Sequence, residues 1–357
     1  MKNNFFSKHY QQGLTIIELM IALTLGLVIS MVAASIFAFS SKGFSVQQEQ
    51  TSIQEAGRTA LGILGRTVRT TSDFGCRSDW TVVKSKSFVN KVNPAASYAY
   101  TFGTDPLSAQ LVGYTGITSD WSPTIPTDLP IPSNADKTSD IITVRGATGD
   151  PATVVAPFMT TVTDAVTVNT QNGFAAGDVL AISDCSSTTI FQVSGTPDAS
   201  GTLAHTTSGT PGNVDTALFK NYPSGADVYK LVTTTFYVAP SQFNTGPSLW
   251  RIVGTNAPEE LVQNVERLKI VYGMDPTVGV DNTKRDYSPN YYLAANDTGI
   301  DMTKVVSVRI NVLVRSPSDN VSTINQTYIF NSASVTATDK RLRNSFTTTI
   351  NLRNRVL

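Results

Sequence analysis

The sequence predicts an α+β fold: one long N-terminal helix, transmembrane in its first half and amphipathic in its second, packed on an antiparallel β-rich globular domain. Three observations predict it. An apolar run of about 23 uncharged residues, 19–41, follows a short basic leader. Apolar residues then recur at three- and four-residue spacing as far as Val68, with no proline before Pro94. From residue 72 the composition shifts to Thr, Ser, Gly, Pro and Val, in short β-type runs separated by turn residues. The expected organisation is a leader at 1–13, a helix at 14–71 and a β-rich domain at 72–357.

The leader carries Lys2 and Lys8, no acidic residue, and Gly13 at its end. The run behind it can cross a bilayer, since about 20 apolar residues at 1.5 Å each span the hydrocarbon core, and the membrane segment falls at about 14–39. The positive-inside rule places the N-terminus in the cytoplasm and everything after Lys42 outside. Glu18 is out of character in this run. A carboxylate at the bilayer centre costs about 2.5–3.5 kcal/mol, and less near the interface, so it is by default a functional residue with a partner. Cutting after Gly13 would supply that partner, because Leu14 would gain a free α-amino group that is mostly cationic at neutral pH. An amine at the first new position and a carboxylate at the fifth can pair between neighbouring subunits and align stacked helices. A secretory signal peptide is the competing reading, with a small-residue site near Ala33-Ala34-Ser35. Its apolar core would contain Glu18 and exceed the usual length of about 7–15 residues.

Gly13-Leu14-Thr15-Ile16-Ile17-Glu18-Leu19, with its basic leader and the apolar helix behind it, resembles the type IV prepilin signature. That family most often has Phe after the cut, where this chain has Leu14. The resemblance implies a pilin-like fold, cleavage between Gly13 and Leu14 by the prepilin peptidase on the cytoplasmic face, and methylation of the Leu14 amine. The helix is then retained, in membrane lipid or in a filament core.

Residues 40–43, Ser-Ser-Lys-Gly, are a weak helical stretch and a candidate kink. Beyond them Ile53, Ala56, Ala60, Leu61, Leu64 and Val68 share one face, while Gln54, Glu55, Arg58, Thr59 and Arg66 take the other. The whole helix is expected to be about 58 residues long, near 85 Å at standard rise. Cys76 follows its end, and the chain's other cysteine is Cys185. Both lie on the exported side, where an oxidising compartment favours a disulfide. That bond would close a loop of about 110 residues and contribute up to about 4–5 kcal/mol on the chain-entropy model. Two buried free thiols are the alternative.

In the β-rich region, residues 141–144, 179–182 and 190–193 read as strands. The clearest is 306–314, where Val306, Val308, Ile310, Val312 and Val314 share one face and Ser307, Arg309 and Asn311 the other. Residues 228–238 read as a longer strand, and Phe346, Ile350 and Leu352 alternate in a last one. A short helix is expected at 258–265, with proline at its start and Glu259-Glu260 in the first turn. Stretches 115–138, 194–212 and 275–297 read as surface loops. The runs at 177–185, 228–233, 249–251 and 346–355 resemble the minor pilin class called PilW. This second resemblance implies a low-abundance subunit that helps initiate pilus assembly. Its partners would be the prepilin peptidase, other minor pilins and the major pilin, the inner-membrane assembly platform and membrane lipid. The J-class pseudopilin of type II secretion shares the fold and the N-terminus and is the competing assignment.

Composition excludes little but chemistry excludes more. The chain is 41% hydrophobic and 15% charged, with 27 Lys and Arg against 27 Asp and Glu, so nothing in its balance asks for nucleic acid as a bulk partner. His205 is the one histidine beyond the leader, sits in a Thr/Ser/Gly loop with no nucleophile motif, and reads as solvated. No Gly-rich phosphate loop is present, and two distant cysteines with one histidine do not make a zinc site. No enzyme activity and no cofactor are expected. Asp275, Asp281, Asn282 and Asp286 offer oxygen ligands but lack the spacing of a 12-residue calcium loop, and read as solvated. Lys340, Arg341, Arg343, Arg353 and Arg355 make the C-terminal segment basic. They would suit DNA capture or an acidic partner, although their alternation with Phe346, Ile350 and Leu352 reads first as a strand with charged flanks. A tip adhesin or DNA-capture subunit is thus the binding alternative to an assembly subunit.

Overall fold

The computed structural model describes residues 13, 15–74, 88–93, 97–103, 109–169, 173–276 and 286–355. Helix α1 (Ile16–Arg69) is followed by seventeen strands among the described residues. The chain forms two units, Met1–Thr51 and Ser52–Leu357.

In the first unit every described residue from 13 to 45 is exposed. Three polar side chains within the apolar run are spent on their own helix: the Thr24, Ser30 and Ser35 hydroxyls donate to the carbonyls of Ile21, Gly26 and Val32. These three hydroxyls are satisfied without help from surrounding lipid or protein.

In the second unit the helix buries Ile53, Gly57, Ala60, Leu64, Gly65 and Val68, the stripe that the spacing marks out with two glycines added to it. The stripe packs on a four-stranded antiparallel sheet of β13 (Tyr291–Leu293), β12 (Val265–Met274), β14 (Val305–Arg315) and β17 (Arg343–Asn351), in that order. Val308, Ile310, Val312 and Val314 of β14 are fully buried while Arg309 is exposed, as period-two alternation requires. A Cβ at Gly57 would lie within 2.4 Å of the Phe346 ring, so glycine permits this approach of helix to sheet. At the free edge of β17 the Gln326 side chain stands in for a strand: its Oε1 accepts from Arg343 N (2.6 Å) and its Nε2 donates to Arg343 O (2.9 Å).

The larger sheet runs β1 (Phe88–Asn90), β7 (Thr188–Gln192), β6 (Val179–Ser183), β9 (Asp227–Pro240), β4 (Ile141–Thr153), β2 (Leu111–Gly116) and β3 (Trp121–Ser122), antiparallel except for β1 on β7. Its organising strand is β9. One edge of β9 pairs with β4, while the other pairs first with β6 and then, from Thr234, with β10 (Pro247–Val253). Residues 258–265 are not a helix: β11 (Glu259–Gln263) pairs with β10. A helix nucleus in so short a segment is costly, whereas β10 offers backbone partners, Arg251 pairs with Glu259 (2.6 Å), and the Ser241 and Ser248 hydroxyls donate to Glu260. Asn264, at a left-handed φ of 63°, then turns the chain into β12. A second tie between the sheets is Asp140, at the mouth of β4. It accepts from Gly116 N, Ile270 N and Lys269 Nζ at 2.8–3.0 Å. Burial still pushes its carboxyl above the ordinary range. Two small pairs, β5 (Val166–Thr167) with β8 (Thr202–Leu203) and β15 (Thr327–Phe330) with β16 (Ala333–Thr336), complete the domain.

The helix end is locked by the far end of the chain. Ser72, at φ 63°, donates its amide to Arg145 O, and a Cβ at Gly146 would meet Thr70 O at 2.0 Å. The 3-10 turn Arg353–Arg355 supplies Asn354 Nδ2 to Thr71 O and the buried Arg355, whose Nε donates to Ser72 Oγ (3.0 Å) and Nη1 to Met302 O (2.5 Å).

Candidate assembly site

The residues that organise the N-terminus lie at the first turn of α1. Thr15 caps the helix: its Oγ1 accepts from Glu18 N (3.2 Å), while Glu18 Oε2 accepts from Thr15 N and Thr15 Oγ1, both at 3.0 Å. This is a capping box, each residue satisfying an amide of the other that the first helical turn leaves orphaned. Glu18 is exposed, and Thr15 is its one hydrogen-bond partner among the described residues. Gly13 is exposed with nothing within 4 Å of where a Cβ would stand, and Leu14 lies outside the described residues. Past the cap, Ile16 is 79% exposed and Phe39 78%, so an apolar surface faces outward along the whole run. The Thr-x-x-Glu spacing of Thr15 and Glu18 is the local sequence signal for this cap.

Other candidate residues are placed as follows. Cys76 lies outside the described residues, and Cys185 sits at φ 66° in the tight turn between β6 and β7, beside Asp184 and its ion-pair partner Lys220. His205 is not solvated. It is 4% exposed, with Nε2 2.7 Å from Asp164 O and its ring edge-on to Phe191, because pairing of β8 with β5 folds its loop over β7. Asp281 and Asn282 lie outside the described residues; Asp275 is buried rather than solvated, and Asp286 accepts from Ser288 N. Among the described residues no group of His, Cys, Asp or Glu could hold a metal ion. The basic C-terminal segment is largely spent inside the fold. Arg343 lies between Glu266 and Asp339 at 2.5–3.3 Å, Arg341 donates to Ser316 O, and Arg355 is buried, which leaves Lys340 and Arg353 exposed. A nucleic-acid surface would need those guanidinium groups outward.

Residues 8–38 match the prokaryotic N-terminal methylation motif, which covers the leader's end, the capping box and the exposed apolar helix. Residues 235–354 match the family of type IV pilus-assembly protein W, from the second half of β9 through the four-stranded sheet to the last turn. Over these two stretches, which together make up less than half of the chain, it is similar to PilW-class, type IV pilin-like proteins. Of the runs that resemble this class in sequence, 249–251 lies in the matched region and 346–355 all but ends it, while 177–185 and 228–233 lie outside. No curated protein and no solved structure matches the chain. The methylation motif together with the apolar helix points to membrane anchoring.

Proposed function

We propose that the chain is a minor pilin of a type IV pilus, a structural subunit made as a prepilin, and that its mechanism is assembly. The prepilin peptidase cuts between Gly13 and Leu14 on the cytoplasmic face, the Leu14 amine is methylated, and the globular domain stands in the periplasm. The mature chain then begins with the helix of residues 14–71 and continues into the β-rich domain from residue 72. With other minor pilins it initiates the filament on the inner-membrane platform, and Glu18 pairs with the N-terminal amine of a neighbouring subunit. The proposed Cys76–Cys185 disulfide ties the end of the helix to the domain in the oxidising compartment.

The observation that carries this reading is the exposed apolar run headed by a carboxylate whose one hydrogen-bond partner among the described residues is its own N-cap. A carboxylate in that position needs a cation as soon as it enters lipid or a packed filament, and the amine made by cleavage is the cation nearest in sequence. In Glu18→Ala, cleavage is expected to continue while incorporation into sheared pili, measured by immunoblot, falls by at least tenfold. Incorporation equal to the parent's would remove the pairing role.

A further inference from the structure

We propose that the outer face of the four-stranded sheet carries a binding cleft for an acidic saccharide, a role that goes beyond assembly and does not rest on it. The inner face of this sheet is filled by the helix stripe, and alternation turns Lys269, Arg309, Asn311, Ser345 and Thr347 the other way. These residues line a cleft of about 550 Å³, within the usual range of small-molecule sites. One wall is the β15–β16 hairpin, whose turn residues Asn331 and Ser332 both stand at left-handed φ, 51° and 63°. Such turns favour glycine, above all at the second position. Ser332 holds that conformation with a side chain and keeps a hydroxyl at the rim of the cleft.

Arg309 decides the chemistry. Its guanidinium lies 3.9 Å from the centre of the Tyr292 ring, and its Nε donates to Thr349 Oγ1 (3.3 Å). Both terminal nitrogens are without a protein partner among the described residues. The residue is exposed, yet it stands on a central strand and is clamped by its neighbours, so the fork is organised in advance. Among the described residues no carboxylate lines the cleft, and the second cation, Lys269, is already committed to Asp140 Oδ1 (2.8 Å) and Gly116 O (3.3 Å). The charge on offer is therefore one guanidinium fork, which matches one carboxylate held by two parallel hydrogen bonds. A sulfate or phosphate ester would bring more oxygens than one fork can meet.

The remaining groups suit a hydroxylated carrier. Ser345 Oγ donates to Asn311 Oδ1 (2.7 Å), which leaves the Asn311 amide as a donor, and Thr347 and Ser332 add hydroxyls. Val271 and Ile329, the latter 70% exposed, give a C–H face something apolar to rest on. A carboxylate and several hydroxyls on a compact carbon ring describe a uronic-acid sugar.

The test titrates the full-length, detergent-solubilised protein with galacturonate oligosaccharides by calorimetry, beside neutral and sulfated galactose oligosaccharides of the same length. Saturable binding of the galacturonate series is expected, at least tenfold tighter than either control. Arg309→Gln should weaken it at least tenfold, and Arg309→Lys, which keeps the charge and loses the fork, should fall between the two, with thermal unfolding of both variants unchanged. Absence of saturable galacturonate binding, equal binding of the neutral series, tighter binding of the sulfated series, or indifference to Arg309→Gln would each overturn the proposal.

Discussion

Two residues at opposite ends of the chain show how much a charge is decided by its surroundings. Glu18 and Arg343 both stand out in the sequence as candidates for contact with something outside. Glu18 remains available, held only by its cap, whereas Arg343 is buried between Glu266 and Asp339 and is spent on the fold. Arg343 leaves a titration signature on its partner: its hydrogen bond to Asp339 holds that carboxyl down at about 2. A carboxylate whose folded pKa lies below its unfolded value of about 3.9 contributes stability above that value and loses it as pH falls toward the folded one. The gap in melting temperature between the parent and Asp339→Asn should therefore be constant above about pH 5 and shrink steadily between about pH 4 and pH 2. A gap that does not change with pH would show that the ion pair adds nothing to stability.

At the scale of elements, the helix stripe and the longest strands could be read from periodicity, because each buries one face against a single partner. Ile53, Ala60, Leu64 and Val68 are buried, and the strands read at 141–144, 179–182, 228–238 and 306–314 all lie in observed strands. Three features were hidden for identifiable reasons. Gly57 and Gly65 carry no hydrophobicity to count, yet both lie in the buried stripe and Gly57 sets how closely α1 approaches β17. At residues 258–265 a proline followed by two glutamates looks the same at the start of a helix or of a strand, and pairing with β10, itself not read as a strand, decides. The Arg309 cleft draws on four strands and a hairpin that are distant in sequence, so no local pattern marks it, whereas the capping box was local and could have been read. The helix–sheet contact gives an element-scale prediction. Gly57→Val places side-chain atoms where the Phe346 ring stands and should destabilise the domain by about 1–3 kcal/mol in chemical denaturation. The same variant combined with Phe346→Ala should recover part of that loss; no recovery would mean that the clash lies elsewhere.

For the whole molecule, the two matched regions divide the work. The first, 8–38, includes the start of a helix, from Ile16, whose apolar surface no described residue of its unit covers, and residues 235–354 supply the four-stranded sheet on which residues 53–68 of the helix pack. A chain with an uncovered apolar run beside a well-packed domain is physically incomplete alone, and lipid or neighbouring helices must complete it. The pilin reading therefore depends on where the mature chain begins. Intact-mass and N-terminal analysis of the membrane-extracted protein, before and after reduction, tests it most directly. A chain that starts at a methylated Leu14 and gains two hydrogens on reduction is the result expected from processing after Gly13 and a Cys76–Cys185 bond. A chain that starts near Ser35, or that retains Met1, would contradict the account of this protein as a processed pilus subunit.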